Sequence, residues 1–226
     1  MVLENSNSFN QQAVIRTAEI FGIQNIWIVE PNVSRRAKKI TRGTDKFLSI
    51  QTFQTNKECI DALKKEGRTI WAYHYKADGT SIPFGQSSIE IPSKLAIVLG
   101  NESECCSEEL LGCADQFIHI PLFGFADSLT LSITAALVIQ TFFTVCPQAR
   151  GDLSQQEKDD LRKEWYQKLG SKSEKRREQY LSFLDNPPPP LEDLRREGEE
   201  SRNYVRKKLK ERIHQKELQF QQDNPT

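Results

Sequence analysis

Two stretches of the chain place polar groups directly after apolar, strand-like runs. Leu95–Leu99 runs into Gly100–Glu102, and Phe117–Ile120 runs into a segment that contains Gly124 and Ser128–Thr130. Open α/β sheets bind their ligands beyond the carboxyl ends of strands, where backbone N–H and C=O groups are available. The sequence therefore predicts a ligand site that is formed by these two strand ends.

The residue types at these ends suit a small ligand with an apolar body. Gly100 leaves room for the backbone to approach a ligand closely, and the carboxylate of Glu102 follows two positions later. Ile120, Leu122 and Leu129 offer apolar walls of the kind that small-ligand pockets require. A purely structural role is the alternative in each case: Glu102 would cap a turn, the apolar residues would be core, and Ser128 would be a helix N-cap.

A third set of polar residues lies near the start of the chain, on a predicted helix. Asn10 and Arg16 are six residues apart on this helix, which is slightly under two helical turns. Taken alone, an arginine at such a position is usually a solvated helix residue. An arginine stays protonated near neutral pH, so in a site it is a poor base but can stabilise a developing oxyanion and orient a phosphate.

A basic run is the main candidate for contact with a polyanion; it contains Arg35, Arg36, Lys38, Lys39, Arg42 and Lys46. The whole chain has 31 Lys and Arg against 31 Asp and Glu, so a local patch would have to bind nucleic acid. An ordinary solvated loop is the alternative for this run.

The remaining composition excludes several classes of protein. Five cysteines without a C-x-x-C pair argue against a disulfide framework and a zinc site, and they favour a reducing, intracellular compartment. The cytoplasm is favoured; an organelle is the alternative if a targeting segment was removed. His74 and His119 lie in apolar strands without metal-ligand spacing and are interpreted as core or rim histidines. We find no Walker motif, nucleophile elbow or G-x-G-x-x-G.

Strands and helices alternate through the first part of the chain, which predicts a mostly parallel sheet with helices on both faces. Asp78-Gly79 and Pro83 predict a turn and loop. The other predicted elements are helices at Asn10–Phe21, Thr55–Glu66, Ser107–Gly112 and from Ser128 to about Thr144, and strands at Gln24–Glu30, Phe47–Phe53 and Thr69–Tyr75.

Beyond Cys146 the composition changes from aliphatic to charged. Ser154 and Glu157 predict a capping box for a helix that reaches Leu169, and the prolines at 187–190 stop any helix. We expect a charged helical extension over 147–186, then a Pro-rich linker and a charged helical tail over 187–226. A solvated tail and a helix that contacts a partner or RNA both fit this last segment.

Taken together, the three motifs and their order resemble the SpoU/TrmH branch of the SPOUT RNA 2′-O-methyltransferases, over about residues 2–145. The resemblance implies a SPOUT methyltransferase domain at 1–146, with the carboxyl-terminal part of its sheet tied in a trefoil knot. It also implies S-adenosyl-L-methionine as methyl donor and a homodimer whose active sites use both subunits. No metal and no membrane partner is expected.

The resemblance also implies roles for individual residues. It places Arg16 at the ribose 2′-oxygen, and it places the basic run at the RNA. The implied catalytic residues are Asn10, Arg16, Glu102, Ser128 and Thr130. The implied cofactor-binding residues are Leu99, Gly100, Asn101, Ile120, Leu122, Gly124 and Leu129. This chain departs from the family at Thr130, where Ser-Leu is usually followed by Asn, and at Glu104–Ser107, which replaces a Gly-hydrophobic-Ser sequence.

The resulting hypothesis is an S-adenosylmethionine-dependent RNA ribose 2′-O-methyltransferase that acts on a guanosine in tRNA. Ribosomal RNA is the alternative substrate. The alternative function is an RNA- or protein-binding module that has the same fold but has lost catalysis, which Thr130 would favour.

Overall fold

The computed structural model describes residues 1–4, 7–30, 38–85, 89–101, 105–171 and 173–186, with the backbone alone at 38 and 39. The predictions for Glu102, Arg35 and Arg36, for the side chains of Lys38 and Lys39, and for the tail at 187–226 lie outside the described residues.

Seven parallel strands form one sheet in the order β3-β2-β1-β6-β4-β7-β5. The predicted mostly parallel α/β sheet is therefore confirmed. The strands are β1 (Val2–Glu4), β2 (Asn25–Val29), β3 (Ser49–Phe53), β4 (Thr69–Tyr73), β5 (Ser81–Pro83), β6 (Leu95–Leu99) and β7 (Gln116–His119).

The helices begin and end at residues with clear local signals. Gly22 closes the first helix at a φ of 80°, Thr55 and Ser107 are side-chain N-caps, and Ser154 and Glu157 form the predicted capping box. None of the described helices is long and apolar enough to cross a membrane. They are α1 (Ser8–Phe21), α2 (Lys38–Thr41), α3 (Asn56–Lys65), α4 (Glu108–Leu111), α5 (Leu131–Val145), α6 (Gln155–Gly170) and α7 (Glu174–Asp185), with 3-10 turns at Thr44–Phe47 and Pro147–Ala149.

Both faces of the sheet are covered, as predicted, because side chains along each strand alternate between two apolar layers. In β2, Ile26 and Ile28 join the layer that contains α1 and α5, whereas Trp27 and Val29 join the layer that contains α3 and α4. Burial on both sides explains why the central strands are nearly continuous apolar runs.

Three elements differ from prediction. The segment with Pro83 forms strand β5 instead of only a loop; it has three residues and pairs with β7 alone, and proline is tolerated at such an edge. Phe47 belongs to a 3-10 turn, so β3 begins at Ser49. α5 begins at Leu131 and not just after Ser128.

Met1–Leu184 form one compact unit. Within it, α6 packs against the 3-10 turn at Thr44–Phe47. The rings of Trp165 and Phe47 meet edge to face at 5.9 Å, and Lys168 donates a hydrogen bond to the carbonyl of Lys46. The trefoil knot and the domain boundary at 146 remain predictions.

Candidate active site

The carboxyl ends of three adjacent strands, β6, β4 and β7, open onto one cavity of about 470 Å³, which we call the carboxyl-end cavity. It is lined by residues that follow these strands and by the first turn of α5. All the residues predicted to bind the cofactor line it: Leu99, Gly100, Asn101, Ile120, Leu122, Gly124 and Leu129. The fold therefore brings two separate motifs to one place, while their role in binding stays a prediction.

Beyond β6 the chain folds tightly back on itself. A Cβ atom at Gly100 would lie 1.9 Å from the carbonyl oxygen of Cys105 and 2.3 Å from the nitrogen of Cys106. Asn101 N donates a hydrogen bond to Cys105 O at 3.1 Å, and Cys105 has a φ of 57°. Only glycine fits at position 100, and the close approach that the sequence predicts there is made to the protein's own chain.

A buried carboxylate holds this loop in place. Glu4, which is 4% exposed at the end of β1, accepts hydrogen bonds from Asn56 Nδ2 at 2.6 Å and from Ser107 N at 2.8 Å. Burial raises the pKa of the neighbouring Cys106 thiol to about 12, so this thiol stays protonated. The sequence prediction missed Glu4; its signal was a carboxylate at the end of a short apolar strand.

The segment after β7 forms the outer wall of the cavity. Ile120, Leu122 and Leu129 line it, and the residues from 121 to 128 are exposed in the single chain. Phe123 is 97% exposed, and Phe125, which also lines the cavity, is fully exposed. Large exposed apolar side chains such as these are typical of an interaction surface.

The wall between β4 and β7 contains residues that the sequence prediction did not assign to a site: Tyr73, His74, Tyr75 and His119. His119 Nδ1 lies 3.0 Å from Ser81 Oγ. Burial lowers the pKa of both imidazoles, and the positive charge of Lys76 lowers that of His74 further, which favours the neutral form of both rings. Both histidines line the cavity. The signal available in the sequence was a histidine at the end of each of two separate strands. That both line one cavity depends on the strand order, which places β4 beside β7.

Ser128 lines the cavity, whereas Thr130 does not. Thr130 occupies the N-cap position of α5, so the interpretation of Ser128 as the N-cap is wrong. Leu131, at 4% exposure, begins the helix, while residues 121–128 before it are exposed. Thr130 makes no side-chain capping bond; its hydroxyl lies 3.5 Å from that of Ser132.

Arg16 and Asn10 lie on α1, and neither is among the described residues that line the carboxyl-end cavity. Arg16 Nη1 donates to the carbonyl oxygen of Ile40 in α2 at 3.5 Å. Arg16 therefore lies beside the basic run. In the single chain the structure does not bring Arg16 and Asn10 together with the cavity.

The described end of the basic run is exposed. Arg42 has a φ of 52°, and it and Lys46 are exposed on either side of a turn. The buried Thr41 donates its hydroxyl to Asp45 at 2.8 Å, which holds this turn. Among the described residues, no group of three or more His, Cys, Asp and Glu side chains could hold a metal ion.

In open α/β proteins with a parallel sheet, the ligand site lies beyond the carboxyl ends of the strands, which is where this cavity lies. Comparison with known families identifies the family to which the chain belongs. Residues 1–140 match the model of the SpoU rRNA Methylase family, and the chain belongs to that family.

Two curated relatives share one name. The chain is 29% identical over 165 residues to the tRNA (guanosine(18)-2′-O)-methyltransferase of Borreliella burgdorferi, covering 72% of this chain and 74% of the relative. It is 28% identical over 131 residues to the Escherichia coli protein of that name, covering 58% of this chain and 56% of the relative.

Solved structures show the same fold. The TrmH/SpoU tRNA modifying enzyme of Aquifex aeolicus superposes with a TM-score of 0.62 at 24% identity, covering 74% of this chain and 87% of that one. The SpoU methyltransferase AviRb of Streptomyces viridochromogenes, in complex with AdoMet, superposes with a TM-score of 0.56 at 16% identity, covering 66% of this chain and 60% of that one.

Proposed function

We propose that this chain is an S-adenosylmethionine-dependent ribose 2′-O-methyltransferase that acts on a guanosine in tRNA. The observation that carries the proposal is the gathering of two family motifs around one cavity at the carboxyl ends of β6, β4 and β7. The family match and the printed activity of the curated relatives support the same reaction.

The cavity fits the proposed cofactor. Its volume of about 470 Å³ lies in the range of small-ligand sites, and its wall combines aliphatic and aromatic side chains with polar backbone near strand ends. Leu99, Ile120 and Leu129 would enclose the adenosine, with backbone groups near Gly100 at its polar edges. When bound, the cofactor supplies an electrophilic methyl group.

The residues of the chain then have to activate a ribose hydroxyl, which is a poor nucleophile until its proton leaves. Arg16 acts as a cation that stabilises the developing alkoxide and orients the adjacent phosphate. Arg42 and Lys46, exposed beside it, neutralise further phosphates of the RNA.

A homodimer completes this site. Arg16 bonds to α2 and does not line the cavity of its own chain, so a second copy would bring Arg16 to it. The packed helices α1 and α5 carry exposed apolar side chains suited to such contact: Ile20 is 67% exposed, Ile133 51% and Leu137 40%. Ile133 and Leu137 are four residues apart and share one face of α5.

The experiment is methyl incorporation from labelled S-adenosylmethionine into tRNA and into rRNA, followed by nuclease mapping. Methylation of a tRNA guanosine supports the proposal. Methylation of rRNA alone would reassign the substrate, and cofactor binding without methylation of either RNA would favour the binding module without catalysis.

The role of Arg16 has its own test. Arg16→Ala removes a contact made mainly in the transition state, so the single-turnover rate on the mapped RNA should fall on the order of 10²–10³-fold. Cofactor affinity should barely change. The control is Arg68→Ala, which removes an arginine paired with Glu66 at 2.6 Å near the amino end of β4 and should keep the wild-type rate. Wild-type turnover in Arg16→Ala would refute the assigned role.

A further inference from the structure

Three polar residues from separate elements form a closed ring of hydrogen bonds, which we call the Glu4 cluster. Glu4 ends β1, Asn56 begins α3, and Ser107 is the N-cap of α4. Asn56 Nδ2 donates to Glu4 Oε1 at 2.6 Å and to Ser107 Oγ at 2.9 Å, and Ser107 N donates to Glu4 Oε2 at 2.8 Å. The cluster therefore ties together residues that lie 51 to 103 positions apart along the chain.

This cluster is an expensive way to fill the space that it occupies. Glu4 is 4% exposed, and no ion pair among the described residues includes it. Asn56 Oδ1 is buried and has no hydrogen-bond partner in the part of the chain that the structure describes. Buried charges and unpaired polar atoms both lose solvation, and apolar side chains of similar volume often give equal or greater stability. The arrangement therefore points to a role in placing the chain, beyond a role in stability.

The segment that the cluster places is the far end of the loop between β6 and α4. Ser107 closes this loop, and its hydroxyl also accepts from Leu110 N in the first turn of α4. Two positions earlier, Cys105 O accepts from Asn101 N at 3.1 Å, and Asn101 follows Gly100 at the end of β6. A displaced Ser107 would therefore displace the backbone that packs against Gly100.

The loop and the cluster stand in different relations to the carboxyl-end cavity. Gly100, Asn101 and Cys105 line the cavity, whereas no member of the Glu4 cluster does. Glu4 can therefore affect a bound ligand only through the position of the loop. Because the backbone at Gly100 lies against Cys105 and leaves no room for a Cβ atom, a small shift of one side of the loop is passed to the other.

We propose that Glu4 is a positioning residue for the cofactor: through Ser107 it holds the loop after β6 in the shape that binds S-adenosylmethionine. This inference rests on the proposed function. Glu4 and Asn56 do not touch the ligand in it, and their contribution is to prepare the cavity wall before the ligand arrives.

The first test is Glu4→Gln, measured by calorimetric binding of S-adenosylhomocysteine well below the melting temperature and by thermal unfolding of the ligand-free protein. The variant replaces one acceptor oxygen by an NH₂ group, which then faces a donor on Asn56 or on Ser107. With one bond of the ring broken, S-adenosylhomocysteine should bind on the order of 10-fold more weakly. Asn56→Ala removes a donor instead and should weaken binding in the same direction.

The second test reverses the polarity of the ring. In the double variant Glu4→Gln with Asn56→Asp, the amide at position 4 donates to the carboxylate at position 56, and its oxygen still accepts from Ser107 N. The Ser107 hydroxyl can turn to donate to the same carboxylate. Affinity should therefore recover relative to Glu4→Gln. Asn56→Asp alone places two carboxylates against each other and should bind at least as weakly as Glu4→Gln.

Asp115→Ala is the matched control at the opposite end of the strands. Asp115 also accepts a backbone hydrogen bond with its carboxylate, from Ile70 N at 2.7 Å near the amino end of β4. Its loss should lower the melting temperature while the affinity for S-adenosylhomocysteine stays within about twofold, because distant sites usually behave independently.

Wild-type affinity in a folded Glu4→Gln protein would overturn the inference and leave the proposed function intact; if that variant does not fold, wild-type affinity in Asn56→Ala has the same meaning. Failure of the double variant to recover affinity would show that the ring of bonds does not set the loop, and would also overturn it. An equal loss of affinity in Asp115→Ala would mean that affinity merely follows stability. Wild-type protein that does not bind S-adenosylhomocysteine would refute the proposed function, and with it this role of Glu4.

Discussion

Two cavities of similar size lie at opposite ends of the strands of the same sheet. The carboxyl-end cavity measures about 470 Å³, and a second one of about 520 Å³ lies near the amino ends of β2, β4 and β6. We call the second one the amino-end cavity; its lining includes residues of the second half of α5, five residues between 91 and 97 and six residues between 146 and 153. Volume alone therefore does not identify the functional site.

The two cavities differ in what surrounds them. At the amino-end cavity, Ile139 and Phe143 are core residues of α5, and Arg68 is paired with Glu66 at 2.6 Å. At the carboxyl-end cavity, the backbone at Gly100 lies directly against that of Cys105, and the outer wall is exposed. His74 has a buried nitrogen without a hydrogen-bond partner among the described residues. The groups suited to ligand binding therefore lie where loops leave the carboxyl ends of the strands, while the amino ends of the strands serve packing.

One helix connects the two cavities. Leu131 and Thr134, near the start of α5, line the carboxyl-end cavity, whereas Ile139 and Phe142, one to two turns later, line the amino-end cavity. Substitutions at the two ends can therefore show whether the sites are energetically separate. They are given below in order of their expected effect on the carboxyl-end cavity.

Gly100→Ala should have the largest effect. The added Cβ would meet Cys105 O at 1.9 Å, so the backbone beside the cavity has to move. A displacement of about 1 Å near a site can cost on the order of 10²-fold in rate, and overpacking destabilises by roughly 1–3 kcal/mol. Single-turnover methyl transfer and denaturant unfolding measure these two effects.

The stability control for Gly100→Ala is Gly124→Ala, in the same cavity. A Cβ there meets nothing within 4 Å, so its free energy of unfolding should match that of the wild type. Equal stability and turnover in Gly100→Ala would show that the loop after β6 adapts freely, and the contrast between the two cavities would lose its main structural basis.

Ile139→Ala should affect stability without affecting cofactor binding. Ile139 is 1% exposed, and truncating such a core residue costs roughly 2–5 kcal/mol of unfolding free energy. The dissociation constant for S-adenosylhomocysteine, measured well below the melting temperature, should stay within about twofold, since distant sites usually behave independently. Gln140→Ala, exposed on the same helix, should change stability by at most about 0.5 kcal/mol. A tenfold change in affinity for Ile139→Ala would mean that α5 couples the two cavities.

The parts of the site that depend on local signals could be predicted from the sequence. One helix ends at Gly22, and two others begin at Thr55 and Ser154, through contacts within a few residues. The cofactor-binding candidates that line the carboxyl-end cavity could be predicted from their positions in the two strand-end motifs and in the family pattern. They lie together because parallel strands place their carboxyl ends at one edge of the sheet.

The parts that depend on long-range order could not be predicted. The order β6-β4-β7 brings His74 and His119 to the same wall, although 45 positions separate them and nothing local signals the pairing. The start of α5 was misplaced because the burial of Leu131, a tertiary effect, determines where the helix begins, and not the capping preference of Ser128.

Thr130→Asn should have the smallest effect, and it tests whether the departure from the family motif weakens the enzyme. Thr130 is the N-cap of α5 but makes no side-chain capping bond, and it lies outside the cavity. Asn is a better N-cap than Thr, so the variant should gain up to about 1 kcal/mol of stability and keep its cofactor affinity. The same amide restores the residue that the family usually carries here, so single-turnover methyl transfer should be preserved or rise. An inactive wild-type protein that Thr130→Asn makes active would favour loss of catalysis in this chain. A large fall in affinity would instead mean that the start of α5 positions the cavity more tightly than its exposed cap suggests.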